Sequence, residues 1–187
     1  MVDLHMHSLY SDGTFSVSEL VKRSGEKGIK ILSLTDHDTV EGLAEAAKEC
    51  IENNIKFING IEISTEYKGK EVHILGYFID EKDKSLIDFS NEMKQARINR
   101  NEKAIKILNN HGIEITKEDT FREAEGVIIS RTHLARALIA KGYVKDVKEA
   151  FSKYLGSNGL AYVPKSNLNP FDGIEIIKKS GGLAFLA

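Results

Sequence analysis

The sequence predicts an α/β protein in which short strands build a parallel sheet or barrel and helices pack outside it. Three observations carry this expectation. Short apolar runs alternate with amphipathic stretches from Val2 to Ile79. The amphipathic stretches open on capping residues and close on glycine. The same alternation returns near the end of the chain, after a long block with almost only helical periodicity.

Val2 to His7 reads as the first strand. Ser16 opens a helix, with Glu19 three residues on completing a capping box and Gly28 closing it. Ile29 to Leu34 is an apolar strand, and Thr39 to Asn53 a second helix. Phe57 to Ser64 and Val72 to Ile79 are two further strands. From Lys84 onward Leu86, Phe89, Met93 and Ala96 recur at helical spacing, and Ile105 and Leu108 extend the stripe to Gly112. Thr116 with Asp119 starts a helix, Arg131 to Lys141 forms another, and Asp146 with Glu149 caps one more. Leu160 to Pro164 reads as a strand. Asn169-Pro170 caps a helix that runs to Lys179, and Leu183 to Ala187 begins an apolar strand. The expected organisation is residues 1–83 as the first part of the α/β frame, 84–156 as a helical insertion, and 157–187 as the return to the frame. A chain that stops in a buried strand reads as part of a longer one.

The 187 residues suffice for one sizeable core, with 41% hydrophobic and 29% charged side chains. A formal charge of −2 gives no overall basic character for nucleic acid, so a phosphate ligand has to be held by local cations or bound metal. The single cysteine, Cys50, excludes a disulfide framework and reads as a small packing residue. No stretch approaches the ~20 apolar residues of a membrane span, and the first ten residues lack the regions of a signal peptide. A cytoplasmic protein without membrane association is expected, and no protein partner is identified.

The chemistry begins at His5-Met6-His7. Residues i and i+2 of a strand share a face, so two imidazoles at a strand end can grip one metal ion. Asp12 follows in the turn-like SDGT. His37, in TDHD, comes just after the second strand. Glu62 alternates with Ile61 and Ile63 in the third strand, and His73 with Val72 and Ile74 in the fourth. A lone histidine or carboxylate in a strand is usually structural. Four successive strands that each bring a ligand type to one end are hard to explain that way, and in an α/β barrel the C-terminal strand ends form the active face. Imidazole with carboxylate and no thiolate suits Zn²⁺, Mn²⁺ or Fe²⁺. Six candidate ligands fit two or three ions more economically than one, with Glu62 able to bridge. Adjacent metals clamp a phosphoryl group and lower the pKa of bound water, so no nucleophilic side chain is needed.

DLHMHS, SDG, LTDHDT, GIEIS and EVHILGYF, in this order, resemble the PHP (polymerase and histidinol phosphatase) family. Within it the chain is most similar to small bacterial metal-dependent phosphoesterases, which include 3′,5′-nucleoside bisphosphate phosphatases and an RNase that trims RNA 5′ ends. The likeness runs from Val2 to Ala187, through SRTHLARAL in the insertion and AYVPK after it. It implies a distorted (β/α)₇ barrel with a trinuclear metal site. His5 and His7 would hold one metal with Glu62, Glu62 would bridge to a second that also takes His73, and Asp12 and His37 would serve the third. The family's remaining ligands, a His-Pro after the fifth strand and a late Asp-x-His, lie beyond LAFLA. The barrel is then incomplete, and the chain by itself is expected to be inactive.

The insertion in this family caps the site and contacts substrate. Arg131 and His133 match those positions, at a helix N-terminus that also favours anions. Arg97 and Arg100 read as surface charge, His111 as a cation at a helix end, and Lys165 as a weak candidate for a phosphate contact. The resemblance implies hydrolysis of phosphate esters on nucleotides or short RNA by a metal-activated water. The competing expectations are a histidinol-phosphate-type phosphatase, an amidohydrolase-like barrel acting on a C–N bond, and a non-catalytic PHP module of the kind found in replicative polymerases. The last is disfavoured because all six ligand positions within the chain are intact.

Overall fold

The computed structural model describes residues 1–122, 130–164 and 168–187. They form two compact units, Met1–Lys94 with Asn167–Ala187, and Gln95–Ser166. In chain order the elements are β1 (Val2–Met6), α1 (Val17–Glu26), β2 (Ile31–Leu34), α2 (Leu43–Glu52), β3 (Lys56–Tyr67), β4 (Lys70–Tyr77) and α3 (Lys84–Asn110). They continue with α4 (Lys117–Arg122), α5 (Arg131–Ala140), α6 (Val147–Ala150) running into a π-helical turn (Phe151–Leu155), α7 (Pro170–Lys179) and β5 (Leu183–Leu186). The first turns of α3 bury Leu86 and Phe89 in the core of the first unit.

The first unit is built on one sheet of order β1-β2-β3-β4-β5. β1, β2 and β3 are parallel, as the helices between them require. β4 and β5 are antiparallel to their neighbours, so the sheet is mixed and the expectation of an all-parallel sheet does not hold. The reason is local. Lys68 and Gly69, at φ 51° and 75°, form a two-residue turn between β3 and β4, and no crossover helix intervenes. β1 carries a register shift between Asp3 and Met6, a bulge that covers His5.

Sequence capping is realised at α1, where Glu19 N–H donates to Ser16 Oγ and Ser16 N–H to the Glu19 carboxylate. Asn169 caps α7 by accepting from Asp172 N–H. α2 begins at Leu43, later than the expected Thr39. Asp38 turns the chain at φ 56° and Thr39 Oγ1 accepts from Glu41 N–H, so residues 39–42 form a turn before the helix.

The core of this unit packs α1, α2 and α7 on the sheet around Val21, Leu32, Leu34, Ile61, Ile63 and Ile177. Gly60 lies where β3 meets β2. A Cβ there would stand 2.4 Å from Ser33 Oγ and 2.9 Å from the Leu34 carbonyl oxygen. Gly60→Ala is therefore expected to cost at least about 2 kcal/mol by overpacking, read as a lower urea midpoint. An unchanged midpoint would show that β2 and β3 separate freely at this point.

The second unit has its own core of Leu108, Ile115, Leu134, Leu138 and Leu155. Thr116 and Asp119 cap α4 reciprocally. Lys141 beside Asp119 is the main reason that this carboxyl is held down at about 2. Leu160 to Pro164 is not a strand. Leu160 N–H and Ala161 N–H donate back to the carbonyls of Lys153 and Tyr154, which folds the segment onto the preceding turn and buries Ala161. Among the described residues no helix is long and apolar enough to cross a membrane.

Candidate metal centre

Glu62 is the centre of the site. The sheet explains its position: Ile61 and Ile63 point into the apolar core, and the intervening side chain points to the other face. That face is also closed, leaving Glu62 2% exposed. Four of the six histidines surround its carboxylate. Oε2 lies 2.9 Å from His5 Nε2, 3.1 Å from His7 Nε2 and 3.5 Å from His37 Nδ1. Oε1 lies 2.9 Å from His73 Nδ1.

The four imidazoles arrive from three strands or strand ends. His5 lies in β1, where the bulge re-aims the chain, and His7 directly follows it. His37 follows β2, and its backbone forms an isolated parallel bridge with Glu62. Glu62 N–H donates to the Asp36 carbonyl, and Asp38 N–H to the Glu62 carbonyl. His73 pairs with Ser64, diagonally from Glu62 across the β3–β4 ladder. Because β4 is antiparallel, His73 reaches the cluster from the early part of its strand and not from a C-terminal strand end. The rings pack in sequence, with centroids 5.1 Å apart for His5–His7, 4.6 Å for His7–His37 and 4.9 Å for His37–His73.

Asp12 completes the group on the outer side, with Oδ1 3.7 Å from His7 Nδ1 and Oδ2 3.7 Å from His37 Nε2. Both distances are too long for hydrogen bonds. His7 Nδ1 is buried and has no hydrogen-bond partner among the described residues. Among these residues three overlapping sets have ligand atoms within 4.8 Å of one another: His5, His7 and Glu62; His7, Asp12 and His37; His37, Glu62 and His73.

The charges are tightly linked. Burial opposes ionisation of Glu62, but the hydrogen bonds from His7, His73 and His5 outweigh it and hold the carboxyl well below the usual carboxylate range. The Glu62 hydrogen bond lifts His73 to about 9, against burial and with help from Glu71. For His7, burial acts downward but is overcome by the Glu62 hydrogen bond and by the charges of Asp12, Glu62 and Asp36, so its pKa is raised. Burial dominates at His37 and lowers it.

Two acids that sequence reasoning did not single out organise the site. Asp36 is buried and accepts from Ser8 N–H (2.7 Å), Ser8 Oγ (2.6 Å) and Ser11 Oγ (2.5 Å). It thereby ties the loop between His7 and Asp12 to the end of β2. Asp38 Oδ1 accepts from Ser64 N–H at 2.7 Å, fixing the turn after His37 to β3. The signal was present in TDHD, where two acids flank a candidate ligand, but nothing in the sequence says that they bond backbone and hydroxyl groups.

The remaining predicted site residues belong to the second unit. His133 is buried on α5, and its Nδ1 accepts from Ser130 N–H at 3.0 Å, so the ring caps its own helix. The Arg131 guanidinium lies over the Phe151 ring at 5.8 Å. His111 Nδ1 bonds the Ile107 carbonyl near the end of α3, in keeping with a helix-end role. Lys165 lies outside the described residues.

The chain is similar to the 3′,5′-nucleoside bisphosphate phosphatase of Chromobacterium violaceum, with 35% identity over 100% of this chain and 66% of that protein. It is equally similar to the 5′-3′ exoribonuclease of Haemophilus influenzae, with 35% identity over 99% of this chain and 67% of that one. The chain thus spans about two thirds of the length of the curated relatives it matches. Among solved structures, a candidate metal-dependent phosphoesterase from Bifidobacterium adolescentis superposes with a TM-score of 0.88 at 27% identity, over 98% of this chain and 65% of its own. The profile of the PHP domain matches residues 3–161, and the chain belongs to the PHP family.

Proposed function

We propose that this chain carries the metal centre of a phosphoesterase that hydrolyses phosphate esters of nucleotides, with a 3′,5′-nucleoside bisphosphate or the 5′-terminal nucleotide of short RNA as substrate. The observation that carries the reading is the ring of four imidazoles around one buried carboxylate, with Asp12 beside it. The donor set fits divalent metal. It is all imidazole and carboxylate, it forms three overlapping sets of ligand atoms, and it leaves the buried His7 Nδ1 without a hydrogen-bond partner among the described residues. His5, His7 and Glu62 would hold one ion, His37, Glu62 and His73 a second, and His7, Asp12 and His37 a third, which would be Mn, Zn or Fe. Bound divalent ions at such a centre neutralise the oxygens of a phosphoryl group and acidify water for attack on phosphorus.

The chain's own residues set the conditions. Glu62, excluded from water, presents one oxygen to His5, His7 and His37 and the other to His73, so one carboxylate belongs to two of the ligand sets and touches two histidines of the third. Asp36 and Asp38 hold the loops that carry Asp12 and His37. The names of the two curated relatives support the choice of substrates, which share a 5′-phosphate beside a 3′-phosphate ester. Completion of the (β/α)₇ barrel, and substrate contacts from Arg131 and His133, belong to the same reading.

His73 is held at about 9, so at pH 7 a metal entering its set displaces a proton. Metal affinity is accordingly expected to rise between about pH 6.5 and 9, with proton release visible by titration calorimetry in buffers of different ionisation enthalpy. A pH-independent affinity would remove His73 from the ligands. The function is tested by phosphate release from adenosine 3′,5′-bisphosphate with Mn²⁺, using the full natural protein beside its His5→Ala/His7→Ala form. Release that disappears in the variant supports the reading. Absence of release from a metal-loaded protein would exclude that substrate.

A further inference from the structure

We propose that Glu71 is a positioning residue of this centre: its carboxylate holds the outer nitrogen of His73 and thereby aims the inner nitrogen at Glu62 and the metal beside it. The inference rests on the metal reading above. His73 Nε2 lies 3.0 Å from Glu71 Oε1, and Nδ1 lies 2.9 Å from Glu62 Oε1, so the ring is strung between two carboxylates. An imidazole offers a lone pair to a cation from only one nitrogen while the other carries hydrogen, and the partner of the N–H decides which. With Glu71 accepting from Nε2–H, the lone pair falls on Nδ1, the atom that faces the cluster.

The strand supplies the alignment. Glu71 and His73 are two residues apart in β4 and share a face. Residues 70–77 are paired along their whole length with β3, which fixes both backbones. Glu71 stands in register opposite Glu66, a like-charge pairing that weakens a sheet. Its side chain is 52% exposed, where an ion pair adds little to stability. Glu71 is thus suited to orienting His73 while contributing little to the fold.

The test uses the full natural protein with Zn²⁺ as probe. Glu71→Ala is expected to weaken Zn²⁺ binding about 10- to 100-fold by calorimetry, in the range found for outer partners of metal-bound histidines. Glu71→Gln, whose amide oxygen still accepts from Nε2–H, should recover most of the loss. Thermal melts of the metal-free proteins should coincide. Imidazole ¹⁵N spectra of the Zn²⁺-loaded protein should place the His73 proton on Nε2 in the wild type, and that assignment should be lost in Glu71→Ala. His73→Ala serves as the control. If it loses Zn²⁺ while Glu71→Ala binds as wild type with the same tautomer, the role of Glu71 is overturned and the metal centre stands. If His73→Ala also binds as wild type, the second metal set falls and the proposal falls with it.

Discussion

Glu62→Gln is expected to lower phosphate release by at least about 100-fold while leaving the fold intact. Loss of an outer partner of a metal ligand already costs about 10- to 100-fold, and Glu62 is common to two of the three ligand sets. Glutamine keeps the shape and one carbonyl oxygen, so the buried pocket stays filled, but it removes the charge on which the imidazoles converge. The metal-free protein offers a second readout. The folded-state pKa of His73 is raised to about 9, so its pairing with Glu62 adds stability that is fully present below about pH 6.5 and is lost as the pH rises through about 9. In EDTA, Glu62→Gln should therefore melt below the wild type at pH 6, and the two should approach each other above pH 9. Equal melting temperatures at pH 6, together with undiminished phosphate release, would remove Glu62 from the centre.

Asp36→Ala should act first on the fold. The variant strands the buried Ser8 N–H and two buried hydroxyls, Ser8 and Ser11, which are 0% and 1% exposed. One unpaired buried donor costs about 1–3 kcal/mol, and the hydroxyls can turn toward other acceptors, so a loss of about 3 kcal/mol is expected from urea unfolding. Part of it is offset, because burial of Asp36 raises its pKa and makes its charge costly, although the Ser11 and Ser8 bonds counter this. Asp36→Asn keeps one acceptor oxygen and should lose less. Both variants should also weaken metal binding, because the loop between His7 and Asp12 is no longer fixed to β2. Full stability in Asp36→Ala would mean that Ser8 and Ser11 find other partners at no cost.

Four of the six proposed ligands were legible from strand alternation. His5 and His7 two apart, and Glu62 and His73 each between apolar neighbours, had to leave the core side of the sheet. Caps were legible for the same local reason, and Ser16 with Glu19 and Asn169 with Pro170 start helices where expected. What could not be read depends on contacts between distant segments. The direction of β4 is set by the turn at Lys68–Gly69, and periodicity carries no information on strand direction. The apolar run Leu160 to Pro164 matches a strand in composition but spends its N–H groups on the preceding turn. The bulge at His5 and the cradle around Asp36 arise only once β1 and β2 lie side by side.

The most direct test of the metal centre is an anomalous difference map from crystals of the full natural protein grown with Mn²⁺. Peaks are expected within coordination distance of His5, His7 and Glu62, of His7, Asp12 and His37, and of His37, Glu62 and His73, with the first and the last absent in the Glu62→Gln crystal. A map with no peak at these side chains, from protein shown to be active, would contradict the metal centre.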